Sequence, residues 1–308
     1  MDSFSHTMLG AVIAKAGFRQ RLGRYATAAL AISAVFPDVD LIFRFWGPFI
    51  SLKMHRGFTH SFLGVFIAAL FLALIFSWLT GFKRFWVLVG LCSIGGLSHL
   101  FFDLMTSFGT QIFYPFTTKR YALDWIFILD GVITLSLLLP LILMRGRPQR
   151  AAICARLGLA VVIGYIALGA VNHSLALNKF RGQLIEKGIK FEQLAALPRP
   201  FGPFRWSGLA RAGDEVYRTQ IKLLSSELEP LQRFASSAPN RYVLAARNLE
   251  EVKIYRWFAR FPIETYTAKG EEHVVEYTDL RFRLGERRDP FLLRVILNKE
   301  GQLVRVEF

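Results

Sequence analysis

Apolar residues gather into long runs up to about residue 172, and beyond it they alternate with polar ones. Runs 62–82, 85–105, 125–144 and 153–172 each approach the ~20 residues that a helix needs to cross a bilayer. Two shorter runs, 5–17 and 26–35, flank the basic turn Phe18-Arg-Gln-Arg-Leu-Gly-Arg24 and predict a helical hairpin packed into the bundle. Further on, 173–197 predicts an amphipathic helix, while 252–258, 273–284 and 291–298 alternate and read as strands. The polar stretch 299–302, between 291–298 and 303–308, predicts a closing hairpin. The fold expected is an all-α polytopic membrane bundle, with about four spanning helices plus an N-terminal helical hairpin, over residues 1–172. A small C-terminal α+β soluble domain, 173–308, follows as a lid or partner-binding module.

Composition supports the membrane reading: 53% of the 308 residues are hydrophobic, and the mean hydropathy is +0.35. The formal charge of +15 could serve nucleic acid, a membrane surface or an acidic substrate. In the first half, however, Lys and Arg lie between apolar runs, so they read as topology signals and lipid-phosphate contacts, with no nucleic acid partner. The turn 18–24, the Lys83-Arg84 loop and the loop 145–150 fall on one side, which the positive-inside rule makes cytoplasmic. The outer face then receives His6, Pro37-Asp-Val-Asp40, loops 47–61 and 106–124, and the C-terminal domain. The expected location is the bacterial inner (cytoplasmic) membrane, multi-pass. Cys92 and Cys154 lie inside apolar runs, where neither a disulfide nor a thiolate metal site is expected. The start of the chain lacks the order of a secretory signal, so the N-terminus is expected to be retained.

The acidic residues of 1–172 are all Asp, namely Asp2, Asp38, Asp40, Asp103, Asp124 and Asp130, and four of the chain's six histidines precede residue 100. Under the topology above all ten lie at outer helix ends or in outer loops. Ionisable groups at membrane depth are costly unless they pair, face water or hold an ion. His99-Leu-Phe-Phe-Asp103 places an imidazole and a carboxylate one helical turn apart, which suits two ligands of one metal. Asp38 and Asp40 follow a helix-breaking Pro37, and His55-Arg-Gly-Phe-Thr-His60-Ser61 carries a Gly between two histidines just before an apolar run. Such nitrogen and oxygen donors suit zinc, manganese or iron rather than calcium. Individually, a lone His at a helix end reads as an interfacial residue, and a PDxD segment as a capped turn.

Met1-Asp-Ser-Phe-Ser-His6 with Gly10, the PDVD and HRGFTHS strings, and His99-x-x-x-Asp103-x-x-Thr106-x-x-Gly109 with Pro115 together resemble the YdjM-like family of membrane-bound metal-dependent hydrolases. The likeness covers roughly residues 1–135. It implies ligand roles for His6, Asp38, Asp40, His55, His60, His99 and Asp103. The chain departs from the family pattern at Ser5, where Thr is common, and at Leu41, where some members have a further His. Seven candidates exceed the three protein ligands of a single catalytic zinc, so two ions are expected, zinc first and manganese or iron as alternatives. Asp124 and Asp130 stand in reserve.

The function expected is metal-dependent hydrolysis at the membrane surface, on a phosphoester of a lipid or lipid-linked substrate. Arg56 and Asp40 are the catalytic candidates, Arg56 as stabiliser of a developing oxyanion. Lys53, Arg56, Lys119 and Arg120 would surround the site with positive charge at phosphate depth. The alternative is a metal-ion-binding sensor or transporter without hydrolytic activity. A transporter would need polar groups through the bundle, where the sequence offers mainly Ser77, Thr80, Ser93, Ser98, Thr134 and Ser136. A third possibility places function in the C-terminal domain, but its His273 belongs to no motif.

Overall fold

The computed structural model describes residues 2–143, 148–225, 227, 229–283 and 289–308. Contacts divide the chain into two compact units: Met1–Phe43, Met54–His173 and Pro198–Pro203 in the first; Arg44–Lys53, Ser174–Leu197 and Phe204–Phe308 in the second.

In the first unit α1 (Ser3–Ile13) runs through a wider π turn (Ala14–Phe18) into α2 (Arg19–Leu22), and α3 (Arg24–Val35) returns beside α1. This is the expected hairpin, with longer arms than the apolar runs suggest. Pro37 cannot donate a helical hydrogen bond, and from Phe36 the chain tightens into a 3-10 stretch to Trp46, followed by α4 (Pro48–Met54), of which Arg44–Lys53 count with the second unit. After a 3-10 turn, Phe58–His60, come α5 (Phe62–Thr80) and α6 (Phe85–Leu104). Ser61 caps α5 by accepting from the Gly64 amide at 3.0 Å. The expected span 125–144 shrinks to α7 (Gly131–Leu143), because the Asp130 carboxylate caps the Val132 and Ile133 amides and starts the helix there. Its 13 residues reach about 20 Å, short of the ~30 Å hydrocarbon thickness.

Four helical stretches are long and apolar enough to cross a membrane: Arg24–Trp46, Phe62–Thr80, Phe85–Leu104 and Arg150–Glu186. The last lies in α8 (Pro148–Glu186), which continues through Asn172 and replaces the separate amphipathic helix expected at 173–197. Of the basic loop 145–150, residues 145–147 lie outside the described residues and 148–150 begin α8. Two apolar cores hold the unit: Met8, Leu9 and Val12 meet Phe102, Met105, Ile133 and Leu137, while Ala29 and Leu30 meet Ala69, Ala73, Leu88 and Cys92.

The second unit is built on two four-stranded sheets, and strand pairings are antiparallel from β2 to β4 and from β5 to β8. The first sheet holds β1 (Gln193–Pro198), β2 (Arg205–Ala212), β3 (Glu215–Lys222) and β4 (Gln232–Ala235). Helices α9 (Arg241–Arg247) and α10 (Glu250–Phe258) precede the second sheet, β5 (Pro262–Lys269), β6 (Glu272–Asp279), β7 (Leu292–Leu297) and β8 (Leu303–Glu307). The strand expected at 252–258 is therefore helix α10. Val252, Tyr255 and Phe258 recur at the helical spacing of three and bury together, which outweighs the local alternation. The hairpin expected around 299–302 joins β7 to β8.

Candidate metal centre

His60 closes the Phe58–His60 turn, His99 and Asp103 share one face of α6, and Asp38 lies in the 3-10 stretch. All four converge. His99 Nε2 and His60 Nε2 are 3.0 Å apart, Asp38 Oδ1 is 3.6 Å from each of them, and Asp103 Oδ2 is 3.4 Å from each. Ligands about 2.0–2.2 Å from a central ion stand about 3.3–3.6 Å apart in a tetrahedron, so the four imidazole–carboxylate edges have the size of a metal cage, while the edge between the two imidazoles is shorter.

Hydrogen bonds on the far side of each ring decide what the near side offers. His99 Nδ1 lies 2.7 Å from the Ala34 carbonyl oxygen, which can only accept, so Nδ1 carries the proton and Nε2 presents its lone pair. His60 Nδ1 lies 3.0 Å from Asp40 Oδ2, which orients that ring the same way. Two imidazole lone pairs and two carboxylates therefore face one another in a buried space, where only a proton or a cation can relieve their repulsion. Burial alone would lower the pKa of His60, but hydrogen bonds to the Asp103, Asp38 and Asp40 carboxylates outweigh it and raise the value to about 10. The metal-free cluster thus keeps a proton in the place suited to a cation. At His55 burial dominates and pushes the pKa down, against the Asp40 hydrogen bond.

Asp40 sits beside the cage. Its Oδ1 lies 2.7 Å from His55 Nδ1, and its Oδ2 accepts from the Arg56 amide at 3.0 Å and from Thr59 Oγ1 at 2.8 Å, besides facing His60. It orients two histidines. His6 stacks on His99, with centroids 3.6 Å apart, and its Nε2 lies 3.2 Å from Asp103 Oδ1. Its Nδ1 is buried without a hydrogen-bond partner among the described residues, and His6, Asp38 and His99 form a further possible ligand trio.

Arg56 is 2% exposed. Its guanidinium bonds Asp103 Oδ1 at 2.9 Å, Thr106 Oγ1 at 2.9 Å and the Asp103 carbonyl at 3.3 Å. Its φ of 58° is a strained region for a side chain this large, of order 1–3 kcal/mol. The strain is held by the hydrogen bond that the Arg56 amide donates to Asp40 and by the one that the Gln111 amide donates to the Arg56 carbonyl. Next to it, a Cβ on Gly57 would stand 2.8 Å from the Met54 carbonyl oxygen, so the HRG turn needs glycine. The reserve residues lie outside the possible ligand groups: Asp130 accepts from Tyr165 and caps α7, while Asp124 is buried at φ 58°. Thr59 and Thr106 were visible in the motifs without a role, whereas the Ala34 carbonyl has no sequence signature.

The sequence profile of the YdjM inner membrane protein matches residues 1–175, the stretch that carries this cluster. The chain belongs to the YdjM inner membrane protein family. It is also 25% identical over 146 residues to "Uncharacterized protein YfhP" of Bacillus subtilis (strain 168), which covers 44% of each chain. No solved structure matches.

Proposed function

We propose that this protein is a membrane-bound metal-dependent hydrolase that acts at the membrane surface, on a phosphoester of a lipid or lipid-linked substrate. The observation that carries the reading is that His60 Nε2 and His99 Nε2 stand 3.0 Å apart, with the Asp38 and Asp103 carboxylates each 3.4–3.6 Å from both. Asp38, His60, His99 and Asp103 would hold a divalent ion, zinc by the donor set and ligand spacing. Such an ion supplies Lewis acidity to a hydrolysis. Asp40 and the Ala34 carbonyl keep the imidazoles in the ligating tautomer, and Arg56 balances the charge of Asp103. Of the seven ligand candidates, Asp40 and His55 are engaged in orienting His60. We therefore read one ion in the cage, with His6 beside it as a further donor. Asp38 is the most exposed of the four, with a side chain 9% accessible, and it marks the side from which substrate would approach. The outer-face placement of the site remains part of this proposal.

One feature favours the second reading, a metal-binding sensor or transporter. Four protein donors are the usual count of a closed structural site, whereas catalytic zinc keeps a position open. Elemental analysis of purified protein, coupled to phosphate release from a panel of phospholipids and lipid phosphates, separates the two. Metal-dependent release supports hydrolysis, and tight metal without release on any substrate supports the sensor or transporter.

A further inference from the structure

Arg120 is a half-buried arginine of the first unit, and it is not presented outward as a lipid anchor would be. Its Nη2 donates to the His55 carbonyl at 2.9 Å and its Nη1 to the Gly109 carbonyl at 3.1 Å. The backbone bridge between Thr110 and Tyr121, with two hydrogen bonds of 2.9 Å, sets the position from which it reaches. Gly109 makes room: its φ is +91°, and a Cβ there would stand 3.0 Å from the Arg120 Cβ. The Phe108 ring lies under both arginines, 4.9 Å from the Arg56 guanidinium carbon and 5.7 Å from that of Arg120, and meets the His55 ring edge-on at 5.5 Å.

These contacts end a chain that leads into the cage. Arg120 holds His55 by its carbonyl, His55 Nδ1 meets Asp40 Oδ1, and Asp40 Oδ2 faces His60 Nδ1. We infer that Arg120 is a positioning residue for the metal centre: by latching the His55 turn to the 106–124 loop it fixes Asp40, and through Asp40 the ring of His60. Loss of such an outer partner costs about 10–100-fold in metal affinity while leaving every ligand in place. A lysine cannot reproduce the latch, because its single ammonium lacks the planar fork that spans two carbonyls.

The inference rests on the metal reading of the cage for one of its two measurements. In full-length protein in detergent, zinc affinity is measured by chelator competition, and hydrogen exchange is followed on zinc-free protein over peptides containing Arg56 and Gln111. Arg120→Ala is expected to weaken zinc about 10–100-fold at unchanged stoichiometry and to speed exchange in both peptides. Arg120→Lys should fall between it and the parent. Arg156→Gln serves as comparison: it removes another arginine-to-carbonyl bond of the same unit, to Ala16 at 2.7 Å, and should leave zinc affinity unchanged. Parent-like affinity and exchange in Arg120→Ala overturn the inference, as does an equal loss in Arg156→Gln. Should Arg120→Ala not fold, Arg120→Lys carries the same test. Should the parent bind no zinc, the proposed function fails, and the exchange rates alone decide the role of Arg120.

Discussion

Each unit buries an arginine–aspartate pair, and the two pairs are built to different ends. In the second unit Asp279 accepts from the Arg260, Phe261 and Arg281 amides and from the Arg281 side chain at 2.7 Å, so donors meet both carboxylate oxygens. In the first, Asp103 turns Oδ1 to Arg56 and His6, while Oδ2 faces two imidazole nitrogens at 3.4 Å across the space where the metal-free cluster keeps a proton. One carboxylate meets backbone amides and an arginine; the other shares its buried face with two imidazoles. The histidines differ in the same way. His273 stacks on Tyr242 at 3.6 Å and its Nδ1 lies 2.7 Å from the Tyr266 hydroxyl, an ordinary aromatic setting. Burial of charge alone therefore does not mark a site; the direction of the spare lone pairs does.

The largest effects should come from removing a wall of the cage. His60→Ala and Asp103→Ala should abolish stoichiometric metal in purified protein, read by elemental analysis, while the chain still inserts. Asp279→Ala should keep full metal content yet lose about 3–5 kcal/mol of stability, because it strands a buried Arg281. Metal retained in both cage variants, or lost in Asp279→Ala, breaks the distinction between the two pairs.

Next in size is Arg56→Ala. The geometry makes Arg56 a partner of Asp103, so metal affinity should fall about 10–100-fold, whereas exposed Lys53→Ala should leave it unchanged. Normal metal binding with impaired phosphoester turnover in Arg56→Ala would instead restore the oxyanion role expected from the sequence.

Smaller still is the response to pH. His60 is raised from 6.5 to about 10 in the metal-free fold, so its proton contributes stability that is complete below pH 6.5 and is lost as pH rises towards 10. Metal must displace the same proton, so affinity should climb over this window by up to about tenfold per pH unit. Opposite slopes for metal-free stability and metal affinity are the signature. A flat affinity profile between pH 6.5 and 9 would count against a protonated His60 in the empty cage.

Much of this centre was legible from spacing. The i,i+4 pair His99 and Asp103, the two histidines of HRGFTHS and Asp38 after Pro37 announce ligands because helical period and turn chemistry bring them to one end. The bonds of Asp40 were not legible, since a carboxylate that can belong to a ligand group with Asp38 and His60 also meets His55 only when a remote turn carries that ring to it. Arg56 read as an oxyanion stabiliser and Arg120 as positive charge around the site because sequence shows charge without showing burial. In the fold, α10 was misread as a strand because seven residues of Val-Lys-Ile-Tyr-Arg-Trp-Phe fit both periods. The continuity of α8 through Asn172 was hidden by a change of composition that does not interrupt helical backbone.

The smallest effect tests whether a satisfied carboxylate of the first unit behaves like Asp279 or like Asp103. Asp130 accepts from the Val132 amide at 2.9 Å, the Ile133 amide at 3.2 Å and the Tyr165 hydroxyl at 2.7 Å. It stood in reserve as a ligand, but these donors occupy it as those of the second unit occupy Asp279. Tyr165→Phe removes one donor and leaves the two amides, so stability should fall by about 0.5–1.5 kcal/mol and metal content should not change. The substitution also keeps the ring, so packing beside the Met8, Leu9 and Ile133 core is preserved. A drop in metal stoichiometry or affinity in Tyr165→Phe would mean that Asp130 is coupled to the cage after all, and that the four inward acceptors are too few to account for binding. An unchanged metal content with the small loss of stability would confine the centre to residues whose lone pairs face one another.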